Sequence, residues 1–308
     1  PSRGVENYSH DLLRSVDTSG VAEAGLKVVV DCAGGSGSLI LPSLLGRIGV
    51  DVLTVNNRLD EASPTDTVAK QNRDLERLGE LVSGSGADFG VRFDPVAERL
   101  AIVDGNGELV DNDRALLVVL ELVCAERGGG RVALPVTTTR VAETVAAAHG
   151  VEVHWTATAT GELTKAVQSG GEDVVLAGDG RGGFVVPEFS PTSDGIAAFV
   201  RLLGLVARDR RSLSQIDRAI PQAHLLRRSV PTPWAVKGSV MRAVVEAAGD
   251  RRLDTTDGVR VLESDGSWAL VLPDTAEAVT HLWAEGPDSD TAHRLLDEWA
   301  AVVERAEG

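Results

Sequence analysis

Residues 90–103, GVRFDPVAERLAIV, gather side chains that could do chemistry between two apolar runs that predict a β-hairpin. Asp94, Glu98 and Arg99 are the residue types of a small metal or phosphate loop. Pro95 and Val96 stand where such a loop wants a backbone donor and another oxygen. Mg²⁺ takes near-octahedral oxygen ligands, a valine supplies none, and a proline has a locked φ and no N–H. Water could replace a missing carboxylate, so the expectation is at most weak Mg²⁺ binding by Asp94 and Glu98, and otherwise no cofactor. Without metal, Asp94 is expected to accept backbone N–H groups at the hairpin entry while Glu98 and Arg99 pair in solvent, where such a pair contributes little.

Two glycine-rich turns carry further candidates. AGGSGS (33–38) joins a strand to a helix, and the N–H groups of Gly34, Gly35 and Ser36 could meet an anion there. The turn lacks both the G-x-G-x-x-G spacing and the Lys-Ser/Thr of a phosphate loop. GDGRGG (178–183) places Asp179 and Arg181 among glycines between two strands; Arg181 could meet a phosphate, although such a turn needs no ligand to explain it. The six histidines show no nucleophile partner by spacing, and Cys32 and Cys124 stand alone, so neither a zinc site nor a disulfide framework is implied.

The elements that must position these residues follow one grammar. LKVVVD (26–31) reads as a buried strand, Ser38 to Ile48 as a helix ending at Gly49, and the next strand starts at Val50. RVALPV, TRVAETVAAAHG and VEVHW repeat that pattern about a hundred residues later. DLERLGELV, DRALLVVLELVCAERG and DGIAAFVRLLGLVARDRR read as helices, the last two largely buried. Turns are expected at Asp104-Gly105-Asn106-Gly107 and Asp265-Gly266. Past a break at Pro231-Thr232-Pro233, strands alternate with helices, and Leu295, Leu296, Trp299, Val302 and Val303 line one face of the last helix. The fold class is therefore α/β: two similar α/β domains with mixed, partly parallel sheets plus a small C-terminal α+β domain.

Composition narrows the function classes. The chain has 308 residues, 43% hydrophobic, with 30 Lys and Arg against 46 Asp and Glu, a net charge of −16. That balance argues against nucleic acid as a partner. The one basic cluster, Arg208-Asp209-Arg210-Arg211, reads as a solvated helix end. No apolar run reaches the roughly 18 residues of a membrane span, so no membrane partner is expected. The two isolated cysteines suit a cytoplasmic setting. A start at Pro1 and a single methionine suggest a piece of a longer chain.

The order of elements and several local matches resemble domains two, three and four of the phosphohexomutases, the phosphomannomutase and phosphoglucomutase family. VVVDCAGGSGS resembles the start of domain two, ADFGVRFDPVAERLAIVDGNGELVDND its metal loop and hairpin, and DGSWALVLPDTAEAVTHLWAEG the phosphate loop of domain four. The resemblance implies a linker over 1–24, domain two over 25–127, domain three over 128–228 and domain four over 229–308. It also implies phosphoryl transfer through a phosphoserine of domain one, which these residues do not include.

Each family motif is altered. D-G-D-x-D-R becomes Asp94 to Arg99, and G-E-E-S-G-H becomes Gly178 to Gly183, with Asp179 and Gly180 in place of two glutamates. R-P-S-G-T-E-P-x-x-R aligns with Leu272 to His281; both arginines are gone, and Asp274, between Pro273 and Thr275 and ahead of Glu277, puts negative charge where a dianion would sit. The expectation is a catalytically silent module. PSRGVENY and DPVAERL most resemble the mutase-like tail of actinobacterial mannose-1-phosphate guanylyltransferase chains, which implies an upstream nucleotidylyltransferase domain as partner and a structural or regulatory role in nucleotide-sugar metabolism of the GDP-mannose type. Two alternatives stay open: an active phosphomannomutase or phosphoglucomutase completed by a missing serine domain, and a sensor of sugar phosphates or nucleotide sugars. A homo-oligomer stays open as well.

Overall fold

Apolar strands and amphipathic helices alternate along the chain, and the computed structural model describes them over residues 2–60, 67–159 and 161–306. Segment 1–24, expected as a linker, carries α1 (Ser2–Ser15) and α2 (Val21–Ala24), with Leu12, Val16 and Val21 buried. The first domain follows as β1 (Lys27–Asp31), α3 (Leu41–Ile48), β2 (Asp51–Val55), α4 (Val68–Ser85), β3 (Phe89–Phe93), β4 (Leu100–Asp104), β5 (Leu109–Val110) and α5 (Asn112–Arg127). Its strands pair in the order β2-β1-β3-β4-β5, with β1 parallel to β2 and β3 and the remaining pairs antiparallel. The Val28, Val29 and Val30 side chains of β1 are fully buried, as a central strand covered on both faces requires.

The second domain repeats the plan in β6 (Arg131–Pro135), α6 (Val141–Ala147), β7 (Glu152–Thr156), α7 (Glu162–Gly170), β8 (Val174–Gly178), β9 (Phe184–Val185), α8 (Gly195–Asp209) and α9 (Leu213–Ala219). Its order, β7-β6-β8-β9, matches the first four strands of the other sheet. The helix expected to run to Gly150 ends at Ala147, and the strand expected over GGFVVPEF shrinks to two residues. Asp194 caps α8 through the Ala197 N–H and also accepts the Tyr8 hydroxyl of α1 at 2.8 Å. The basic run at the end of α8 is a set of ion pairs rather than a solvated end: Arg208 meets Glu126 and Asp17, and Arg211 meets Asp209 and Glu121.

The last domain comprises β10 (His224–Pro231), α10 (Lys237–Ala248), β11 (Arg252–Asp254), β12 (Val259–Leu262), β13 (Trp268–Pro273), β14 (Val279–Gly286) and α11 (Ser289–Arg305). Its antiparallel order is β10-β14-β13-β12-β11. The boundary expected at 228/229 falls inside β10, which ends at Pro231, and just past it the Thr232 N–H donates to Ala278 O at 2.7 Å. One face packs on the helices through Val240, Val244, Val261, Leu282, Leu295 and Trp299.

By contact density the chain forms two units: residues 1–134, 142–154 and 160–220, and residues 135–141, 155–159 and 221–308. Within the second unit, buried Glu285 accepts the Trp268 Nε1–H at 2.6 Å and the Arg140 N–H at 2.8 Å, and also pairs with the Thr139 hydroxyl. Among the described residues no helix is long and apolar enough to cross a membrane.

Candidate functional site

The loop from Asp94 to Arg99 leaves β3 and closes on itself. The Asp94 N–H donates to Arg99 O at 3.1 Å, the Ala97 N–H to Asp94 O at 2.9 Å, and one Asp94 carboxylate oxygen accepts the Arg99 N–H at 3.0 Å. Ala97 takes a left-handed φ of 60° to make the turn. Val96 is 63% exposed and Glu98 is exposed. Among the described residues no three Asp, Glu, His or Cys side chains gather as a metal cage. Asp94 and Glu98 are two carboxylates of differing reach, one already engaged by the loop, and this donor set does not fit a three-carboxylate Mg²⁺ site.

Arg99 does not pair with Glu98 as expected. Its guanidinium reaches Asp179 at 2.6 Å and Arg181 O at 3.1 Å, because register carries it across to the second glycine-rich turn. An isolated antiparallel bridge joins Arg99 to Gly183, and the Leu100 N–H donates to Gly182 O at 3.0 Å. A Cβ on Gly182 would stand 2.4 Å from Leu100 O, so this close backbone approach requires glycine. Asp179 also accepts the N–H groups of Arg181 at 2.8 Å and Gly183 at 3.0 Å. Gly178 packs under Leu116, and the Arg181 side chain is exposed.

The AGGSGS turn is likewise engaged. Ala33 N–H donates to the Asp31 carboxylate, Gly34 N–H to Asn56 O, Gly35 N–H to Cys32 O and Ser36 N–H to Pro95 O, all within 2.8–2.9 Å. An anion here would have to displace these acceptors. Beneath the turn lies a buried polar cluster: Asp31 accepts from Asn56 at 2.9 Å and faces the Arg92 Nε at 3.5 Å, and Arg92 also meets Asp74 at 3.3 Å. Charges inside the apolar strands GVRF and KVVVD were its signal in sequence. Burial, with a smaller push from Asp31, raises the Cys32 thiol to about 12, so it is a core residue and no nucleophile.

In the second unit the turn after β13 is held by Asp274. Its carboxylate accepts the Ala276 N–H at 2.6 Å and the Glu277 N–H at 2.7 Å, and its other oxygen lies 3.0 Å from the His281 Nε2. The Ala276 N–H foremost, then His281 and the Glu277 N–H, draw this carboxyl down to about 2. Lys237 at the start of α10 clamps the same turn from its carbonyl side, with Nζ 2.5 Å from Asp274 O and from Glu277 O. Pro273 ends β13, and Thr275 and Glu277 are exposed. Lys237 lay outside the motif and left no signal for this clamp.

These loops can be set beside known proteins. The model for phosphoglucomutase/phosphomannomutase alpha/beta/alpha domain II matches residues 6–107, and that for domain III matches residues 111–224. A probable phosphoglucosamine mutase of Methanopyrus kandleri is 31% identical over 296 residues, covering 95% of this chain and 64% of its own. A phosphoglucomutase/phosphomannomutase of Thermococcus kodakarensis is 27% identical over 307 residues, covering 98% and 66%. The crystal structure of a phosphoglucomutase/phosphomannomutase family protein from Burkholderia thailandensis shares the fold, with a TM-score of 0.80 at 21% identity over 98% of this chain and 64% of that one. The chain thus spans 64 to 66% of the length of the relatives it matches here. With both domain models falling in succession on the two sheets of like strand order, the chain belongs to the phosphoglucomutase/phosphomannomutase superfamily.

Proposed function

We propose that this chain is a phosphohexomutase-fold module without mutase chemistry of its own, structural or regulatory within a longer nucleotide-sugar enzyme chain that carries a nucleotidylyltransferase domain. One observation supports it above the rest: in each altered loop an aspartate of the loop itself, Asp94, Asp179 or Asp274, accepts the loop's own N–H groups. Such a carboxylate repels an incoming phosphate and removes the donors that would hold it. Titration calorimetry with mannose 1-phosphate, glucose 1,6-bisphosphate and GDP-mannose, with and without Mg²⁺, tests the reading. The expected result is no saturable heat up to millimolar ligand and an unchanged melting temperature. Saturable binding that Mg²⁺ strengthens and Arg181→Ala weakens would refute it.

The names of the relatives favour a second reading, a mutase that a missing serine-bearing domain completes. Under that reading the chain mixed with such a domain interconverts hexose or hexosamine phosphates. Turnover in that mixture selects the second reading, and its absence together with silent calorimetry selects the first.

A further inference from the structure

The face of the last sheet opposite its helices, beside the cluster of Trp268, Leu270 and Trp283, holds a hydrogen-bonded row of three side chains. Ser229 on β10 stands directly across from His281 on β14, with its Oγ 2.8 Å from the His281 Nδ1, and the His281 Nε2 is 3.0 Å from the Asp274 carboxylate. The polarity of the row follows from its end. An ionised carboxylate only accepts, so Nε2 carries the imidazole proton, Nδ1 is the lone-pair nitrogen, and the Ser229 hydroxyl donates to it. That is the arrangement in which a base activates a serine. Ser229 is exposed, whereas the Asp274 carboxylate is fixed by two backbone N–H groups and cannot swing away from the ring without breaking them.

The strand supplies a further donor. The Thr232 N–H bonds across to Ala278 O, and hydrogen-bonded pairs alternate along an antiparallel ladder, so Ser229 and His281 form a non-hydrogen-bonded pair. Pro231, two residues on, fits the same alternation because its position needs no N–H. The Ser229 N–H therefore points to the open edge of β10, the outermost strand of its sheet among the described residues. There it can face an oxyanion forming on an atom bonded to Ser229 Oγ. Leu272, opposite His281 on β13, and Trp283, edge-on to the imidazole at 5.8 Å, give the row apolar neighbours.

We propose that Ser229, His281 and Asp274 form a nucleophile, base and carboxylate site that hydrolyses small apolar esters. Ser229 Oγ bonds to the ester carbonyl carbon while its proton passes to His281 Nδ1, and that proton leaves with the alcohol as the ester C–O bond breaks. Water then attacks the acyl-serine, giving one proton to Nδ1, and the acid departs as Ser229 recovers its hydrogen. The site shares Asp274 and His281 with the altered phosphate loop, but none of its steps involves a phosphate, so its test reads serine labelling and not sugar-phosphate binding.

The test is covalent labelling of the whole chain with a fluorophosphonate probe, which bonds to serine oxygen with loss of fluoride, read by peptide mass spectrometry. The expected adduct is on Ser229, absent in Ser229→Ala and formed about 100-fold more slowly in His281→Gln, as loss of a general base implies. Asp274→Asn, which keeps a carbonyl acceptor for the turn, should slow labelling at least about tenfold. Unchanged melting temperatures would show that the variants fold. No adduct on Ser229, an adduct spread evenly over exposed serines, or a rate on Ser229 that His281→Gln leaves unchanged would each overturn the proposal.

Discussion

Replacing Gly35 with alanine probes the closed loops at their tightest point. Gly35 has φ −97° and ψ −168°, extended backbone open to any residue, so alanine costs nothing in conformation. Its Cβ, however, would stand 2.1 Å from Pro95 O and 2.6 Å from the Pro95 carbonyl carbon. Relief to an ordinary C···O contact requires a shift of roughly 1.2 Å. That shift stretches the Ser36 N–H to Pro95 O bond, now 2.9 Å, beyond useful range. Overpacking against backbone costs about 1–3 kcal/mol and the lost bond about 1 kcal/mol, a destabilisation of about 2–4 kcal/mol. Gly46→Ala is the control: it lies exposed on α3 with nothing within 4 Å of a new Cβ, and should gain about 0.5–1 kcal/mol. Hydrogen exchange read by mass spectrometry on peptides covering β1 and β3 gives the assay, with exchange through unfolding expected to rise about 30- to 1,000-fold in Gly35→Ala. If Gly35→Ala exchanges as the natural chain does while Gly46→Ala behaves as expected, the turn and the loop are not packed as described.

Arg99→Ala removes an ion pair in which the arginine side chain is 43% exposed, together with one bond to Arg181 O; the loss should be only about 0.5–1.5 kcal/mol, but exchange at residues 179–183 should rise, and unchanged exchange there would refute the stitching of the two loops. Asp274 has a folded-state carboxyl pKa below its ordinary 3.8, so its contribution is present above that value and is lost as pH falls through about 2. The Ala276 and Glu277 amide resonances should therefore titrate with a midpoint near 2, and a midpoint near 3.8 would refute the contact. Glu285→Ala strands the Trp268 indole and Thr139 hydroxyl donors in a buried place and should cost about 2–4 kcal/mol. All five tryptophans lie in the second unit, so their fluorescence in a urea titration reads this loss directly, and a shift below about 0.5 kcal/mol would refute it.

The strands were legible because burial leaves its mark on composition: KVVVD and VALP are continuous apolar runs that only a covered sheet accommodates. Helix α1 was missed and the segment expected as a linker, although Val5, Tyr8, Leu12 and Val16 recur at three- and four-residue spacing, because the residues between them are polar. Strand β10 was lost because the run Arg227-Arg228-Ser229 interrupts its apolar residues on both faces. Local contacts of the site could be anticipated, such as Asp94 accepting a nearby N–H, because a short loop limits the acceptor's choices. The Arg99–Asp179 pair could not, because it depends on the register that brings Arg99 beside Gly183 across eighty residues of chain. Arg92 and Asp31 fall between these cases: each charge was visible in an apolar strand, and only the parallel pairing of β1 with β3 made them partners.

Under the proposed function, the three aspartate-closed loops would let the scaffold keep its form without mutase chemistry. The sheets bury their own apolar side chains. A loop built to hold an anion or a metal does depend on one, because its converging donors or carboxylates are left unpaired or mutually repelling without it. Asp179 and Asp274 each place a carboxylate among N–H groups of their own turns, and Asp94 turns its oxygen from the open loop to the Arg99 N–H. Each turn then satisfies its donors internally, and Arg99 and Lys237 fasten two of them by salt bridge and carbonyl clamp. A ligand would have to break these bonds before making its own, so on the proposed reading the contacts that hold the loops in shape are the ones that would oppose phosphate binding.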